Sequence, residues 1–180
     1  MIKALNTFKK YNNCYPKKIV VYRDGVGEGQ LQFVHTHEVN EVKRQLQTVY
    51  PSPEDVKMAY IVVTKKINTR LFANRQNPPP GTIVDDVITE PSKFDFFLVA
   101  QQVNQGTVTP TAYNVIEDTS GLDVDKLQRL TYKLCHLYFN WSGTVRVPAP
   151  CQYAHKLAVL VSQAIREAPS TKLEELLYFL

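Results

Sequence analysis

The chain has 180 residues, 44% of them hydrophobic and 21% charged, which suits one globular domain of ordinary size and is too apolar for a disordered segment. Its formal net charge of +4 is dispersed along the chain, so it favours an anionic partner only weakly and does not by itself establish RNA. Three cysteines, Cys14, Cys135 and Cys151, with no Cys-x-x-Cys spacing, imply neither a disulfide framework nor a structural zinc site.

A reducing compartment is therefore expected. The first ten residues hold no apolar run of signal-peptide kind, and no stretch approaches a membrane span, so the chain reads as soluble and intracellular, with no membrane partner.

Ile2, Leu5, Phe8 and Tyr11 fall on one face of a helix predicted over 2–13, which Cys14-Tyr-Pro16 stops. Lys18-Ile-Val-Val-Tyr-Arg-Asp24 then reads as a buried strand that delivers a carboxylate at its carboxyl end, where open α/β sheets place ligand-binding groups. Asp24 is equally well a turn aspartate bonding to the amides of the glycine-rich loop, and spacing does not choose between the two. That loop, Gly25-Val-Gly27-Glu-Gly29, lacks dinucleotide spacing and leads into Gln-Leu-Gln-Phe, which argues against a nicotinamide site. Glu28 within it reads as a solvated residue.

Val39, Val42, Leu46 and Val49 recur at helical spacing until Pro51-Ser-Pro53, making a crossover to the β-branched strand Ala59–Thr64, expected parallel to the first. His35 and His37 would resemble a metal pair only on a strand, and here they precede a helix. Lys65, Lys66, Arg70 and Arg75 follow the second strand, either tracking phosphates or forming a solvated face. Asn77-Pro-Pro-Pro-Gly81 marks a loop and is too short to separate domains.

Strands over Thr82–Thr89, Asp95–Ala100 and Ala112–Ile116 come without intervening helices and are expected as antiparallel neighbours. Asp85 and Asp86, adjacent on a strand, would point to opposite faces. Asp123 and Asp125 sit in the first turn of a helix whose stripe is Val124, Leu127, Leu130, Leu134 and Leu137, with His136 read as packing. A last helix over 151–167 has Ala154, Leu157, Ala158, Val161 and Ile165 on its expected buried side and His155 at the edge of that stripe, flanked by Arg146 and Lys156. A lone helical histidine in such a place is more commonly a satisfied core-edge residue than a ligand. Asp24 and His155 together suggest half of a metal site.

Five ordered motifs, Tyr22-Arg-Asp-Gly-Val26, Asn68-Thr-Arg-Leu-Phe72, Pro80-Gly-Thr-Ile-Val-Asp85, Leu130-Thr-Tyr-Lys-Leu-Cys-His136 and Pro148-Ala-Pro-Cys-Gln-Tyr-Ala-His155, resemble the carboxyl-terminal part of the PIWI domain of Argonaute proteins. Tyr138-Phe-Asn-Trp-Ser-Gly and the terminal Leu177-Tyr-Phe-Leu180 are similar to the Piwi clade. The resemblance spans essentially 1–180 as one partial PIWI domain with no second domain. It implies an α/β, ribonuclease H-like mixed sheet flanked by helices.

The resemblance further implies a piRNA-guided RNA endonuclease, a slicer that cuts complementary target RNA by two-metal hydrolysis in transposon or gene silencing. Its ions would be Mg²⁺, with Mn²⁺ as a substitute, since hard cations favour carboxylate oxygens. Asp24 and His155 match two of the family's four catalytic and metal-binding residues, Asp, Glu, Asp and His. The first Asp and the Glu, like the MID and PAZ domains, lie upstream in the family, so this chain alone is expected to be inactive. Lys66, Arg70, Arg146 and the carboxylate of Leu180 match guide-binding positions. Implied partners are guide piRNA, target RNA, the upstream segments and Tudor-domain proteins, in cytoplasmic germ granules or the nucleus. A non-cleaving guide-RNA-binding silencing scaffold is the alternative, and an unrelated α/β enzyme remains if the motif match is accidental.

Overall fold

Helix α1 (Ile2–Asn12) ends where Asn13 turns left-handed at φ 58° and donates its N–H to the Lys9 carbonyl at 2.8 Å. Only Leu5 of its predicted stripe is buried; Phe8 and Tyr11 are exposed. The computed structural model describes residues 1–174 and 176–180. Strand β1 (Lys18–Asp24) pairs in parallel with β2 (Lys57–Thr64), in a register running from Lys18↔Lys57 to Asp24↔Val63. The crossover between them passes through a 3-10 turn (Glu28–Gln30), an α turn α2 (Leu31–Phe33), a π-helical stretch (Val34–Val39) and helix α3 (Asn40–Gln47). His35 and His37 thus lie inside the crossover helix and not ahead of it.

The sheet has the order β1-β2-β5-β4-β3, where β3 is Thr82–Val84, β4 Phe94–Val99 and β5 Thr111–Asp118. β2–β5 and β3–β4 are antiparallel, so the sheet is mixed. β1 is an edge strand and only half-buried, whereas Met58–Val63 of β2, with neighbours on both sides, are buried throughout. Each fully buried Ile or Val there is worth about 1.5–3 kcal/mol of transfer free energy.

The strand predicted over Thr82–Thr89 stops at Val84. The Asp86 carboxylate accepts from the Val87 N–H at 2.7 Å, and Val87 takes φ 67°, a conformation incompatible with a strand. Asp85 and Asp86 are therefore loop residues, and the opposite-face argument does not apply to them.

The chain forms two compact units, residues 1–64, 85–96 and 112–123 in one, and 65–84, 97–111 and 124–180 in the other. The first is built on Leu5, Val34, Val39, Leu46, Met58, Tyr60 and Val62, with Ile19 and Val21 of β1 packed against them. In the second, α4 (Val124–Leu134) buries Leu127, Gln128 and Thr131, followed by Cys135, while the predicted stripe members Val124 and Leu137 are exposed. Helix α5 (Ala149–Val159) continues into a π-helical stretch (Leu160–Ile165). It buries Ala149 and Cys151 in its first turn, but Ala154, Ala158 and Ile165, predicted as its core side, are exposed. Among the described residues, no helix is long and apolar enough to cross a membrane.

Candidate functional site

In the first unit, strand alternation sorts the end of β1 between two faces. Ile19 and Val21 pack on the crossover helix, so Arg23 follows on that face and Val20, Tyr22 and Asp24 take the other. Asp24 is half-buried beside its register partner Val63, which is fully buried. The strand ends there because Gly25 adopts φ 81°, a region open to residues without a Cβ, and Val26 turns back into the core at 5% exposure. Glu28, in the same loop, is exposed as expected.

Beneath Asp24, on the helix face, lies a cluster that sequence reasoning missed. Arg23 donates from Nε to Glu38 Oε2 at 2.8 Å and from Nη2 to Oε1 at 3.0 Å, while Tyr60 donates its hydroxyl to Oε2 at 2.9 Å. Arg23 Nη1 donates to the carbonyl of Asp24 at 2.5 Å. The hydrogen bond from Arg23 holds the Glu38 carboxyl below its ordinary range against the opposing cost of burial, and Tyr60 adds to the effect. Burial first, and then the bond to Glu38, push the Tyr60 hydroxyl up to about 12. The available signal was Arg23 itself, a charge on the face of a strand whose other members are apolar.

The histidines without an assigned role are all engaged. His35 Nε2 stands 3.5 Å from Glu117 Oε2, which also receives Lys43 Nζ at 2.9 Å. His37 stacks on Phe33 with centroids 4.2 Å apart, and His136 meets the edge of Tyr132 at 4.8 Å.

In the second unit, the three basic residues expected to meet a guide differ in kind. Lys66 is exposed. Arg70 is exposed but donates from Nη1 to the carbonyls of Ile67 at 3.1 Å and Thr69 at 2.8 Å, folding its guanidinium onto its own loop. Arg146 is half-buried and donates from Nη2 to the carbonyls of Lys65 and, at 2.9 Å, Pro110, while its own carbonyl accepts from Thr111 Oγ1 at 3.1 Å. It fastens three backbone segments together.

His155 lies on α5 and is exposed, so the core-edge reading does not describe it. Farther along that helix, Lys156, Leu160 and Gln163 line a cavity of about 500 Å³ with Tyr178, Phe179 and Leu180. Leu180 is 45% exposed at this cavity. Asp24 thus belongs to one unit, and His155, Lys66, Arg70, Arg146 and Leu180 to the other.

Among the described residues, no three His, Cys, Asp or Glu side chains form a group able to hold a metal ion. One carboxylate and one imidazole do not by themselves fit a two-ion Mg²⁺ centre.

This mixed sheet, with an acidic residue at the end of its first strand and helices packed about it, is a ribonuclease H-like architecture of the PIWI kind, and solved Piwi and Argonaute structures match it closely. The chain belongs to the Piwi domain family, which matches residues 1–166. It is 54% identical over 181 residues to Piwi-like protein Siwi of Bombyx mori, covering 98% of this chain and 20% of that protein, and 53% identical over 180 residues to Protein aubergine of Drosophila melanogaster, covering 98% and 21%. The crystal structure of Drosophila Piwi superposes with a TM-score of 0.93 at 53% identity over 99% of this chain and 25% of that one. Kluyveromyces polysporus Argonaute, solved with a guide RNA, matches at TM-score 0.77 and 29% identity over 88% of this chain and 20% of that one. The chain therefore spans about a fifth of the length of its curated relatives.

Proposed function

We propose that the chain serves in a piRNA-guided RNA endonuclease, contributing part of the cutting site and part of the guide-binding surface. The observation that carries this is Asp24, which leaves the end of β1 on a ribonuclease H-like sheet in a chain of Piwi family membership. His155, exposed on α5, would be this chain's second contribution to a Mg²⁺ or Mn²⁺ site completed by carboxylates elsewhere in the protein. Bound there, such ions would stabilise charge on the attacking and leaving oxygens of the phosphodiester.

The remaining roles divide by exposure. Lys66 offers its ammonium to guide phosphates, Arg70 does so by unfolding from its loop, and Arg146 holds the backbone at Lys65, next to Lys66. At the cavity beside Leu180, Lys156 is the cation that would meet an anionic guide end. Tudor-domain partners and residence in cytoplasmic germ granules or the nucleus belong to the same reading.

The test is cleavage of a complementary target by the intact guide-loaded protein in Mg²⁺. Asp24→Ala and His155→Ala should each abolish cutting while guide retention stays unchanged, and the 180-residue chain alone should not cut. Cutting that survives Asp24→Ala overturns the assignment, and an intact protein that retains guide without cutting is the silencing scaffold instead.

A further inference from the structure

We propose that Glu38 is a positioning residue for Asp24, acting through Arg23; this rests on the cleavage reading of Asp24 given above. The Arg23 guanidinium commits all three nitrogens, Nε and Nη2 to the two oxygens of Glu38 and Nη1 to the Asp24 carbonyl. Holding that carbonyl holds the peptide plane between Asp24 and Gly25, because the peptide unit is rigid. The next residue gives no stiffness of its own: Gly25 stands at φ 81° and is the most permissive residue type. The direction in which Asp24 leaves the strand is thus set from the opposite face of the sheet.

Glu38 is itself fixed. Tyr60, 3% exposed on β2, donates to Oε2, and the π-helical widening over Val34–Val39 carries Glu38 in the helix wall facing β1. Such widened turns recur at functional sites. An ordinary surface pair looks different: Arg44 and Glu41, three apart on α3, have side chains 66% and 53% exposed, against 41% and 31% for Arg23 and Glu38, and the further bond that Glu41 accepts comes from Gln45 of the same helix. The relay from Tyr60 through Glu38 and Arg23 to Asp24 joins two strands and a helix around one backbone carbonyl.

The experiment uses the intact guide-loaded protein with Glu38→Gln, Arg23→Lys, and the exchange pair Arg23→Glu with Glu38→Arg. Each single variant should lower single-turnover cleavage about tenfold with guide and target affinities unchanged, as expected when the Asp24 carboxylate is aimed less well while binding is untouched. The exchange pair should restore melting temperature but not cleavage, because a glutamate at 23 has no donor for the Asp24 carbonyl. If cleavage returns with stability, Glu38 is merely structural and the proposal fails. Hydrogen exchange across 22–27 provides a readout that needs no reaction: about tenfold faster exchange in Glu38→Gln is expected, and unchanged exchange overturns the proposal. If the unsubstituted protein does not cut, or cuts without Asp24, the cleavage reading fails, and the exchange measurement still decides whether Glu38 sets the strand end.

Discussion

Arg146 and Lys65, 81 residues apart in sequence, are joined by a hydrogen bond from the Arg146 guanidinium to the Lys65 carbonyl. The same nitrogen also reaches the Pro110 carbonyl, so a residue whose motif suggests a phosphate ligand ties together the start of the basic loop and the approach to β5. Any effect of Arg146 on guide binding passes at least partly through this scaffold.

Arg146→Ala should accordingly destabilise the protein by about 2–3 kcal/mol, the range for losing charge-assisted bonds and leaving carbonyls without a donor. Arg146→Lys should recover only part of this, since an ammonium on a flexible stem lacks the planar fork. Urea unfolding checks it: the midpoint should fall with the slope unchanged. Wild-type stability in Arg146→Ala would remove the scaffold role.

Lys66 should behave in the opposite way. It is exposed, so Lys66→Ala should leave stability within about 0.5 kcal/mol. Guide affinity should nonetheless drop, and the slope of log affinity against log salt should become shallower by about 0.7, the value for one phosphate contact on a single strand. An unchanged slope would take Lys66 off the guide's path.

The contrast between these two residues marks what could be read from the chain alone. The β-branched run around Ile61 and the helical spacing of Val39 and Leu46 specify a parallel β1–β2 pair because local pattern and burial agree there. Asp24 could be placed at a strand end because Gly25 follows it. What escaped depends on neighbours distant in sequence. Glu38 looks like any solvated helix residue until Arg23 and Tyr60 are seen beside it. Helix α4 turns Gln128 and Thr131 inward beside Leu127, which apolar spacing does not show, and α5 leaves Ala154 and Ala158 uncovered because apolar spacing says which residues share a face, not whether the chain covers it. The third strand stops at Val84, and Val87 at φ 67° bars the continuation that its β-branched neighbours would suggest.

Gly81 offers a test of local backbone strain. Its φ is 92°, and a Cβ there would stand 3.2 Å from Tyr132 Cε1 and 3.3 Å from Cζ. Gly81→Ala should cost about 1–3 kcal/mol, mostly from the backbone. Thermal melting of Gly81→Ala with and without Tyr132→Ala separates the two causes. A cost that vanishes in the Tyr132→Ala background would assign it to the ring contact.

Asp95 and Glu38, both in the first unit, have carboxyl groups shifted in opposite directions. Burial raises Asp95 above its ordinary 3.8, with the charge of Glu90 adding and backbone hydrogen bonds opposing, and its Oδ1 is buried without a hydrogen-bond partner. A raised carboxyl binds more protons folded than unfolded, so its penalty is fully present above the folded value and fades as pH falls toward 3.8. Asp95→Asn should therefore be more stable than the parent at pH 7, with the advantage disappearing in acid. Glu38 carries the reverse sign: its contribution is present above the ordinary 4.5 and is lost as pH falls through its depressed folded value. Glu38→Gln should be less stable than the parent at pH 7, with the deficit closing only below 4.5. Urea unfolding of both variants across this range checks the pair, and a deficit for Asp95→Asn at neutral pH would show that its carboxylate is satisfied in the folded protein.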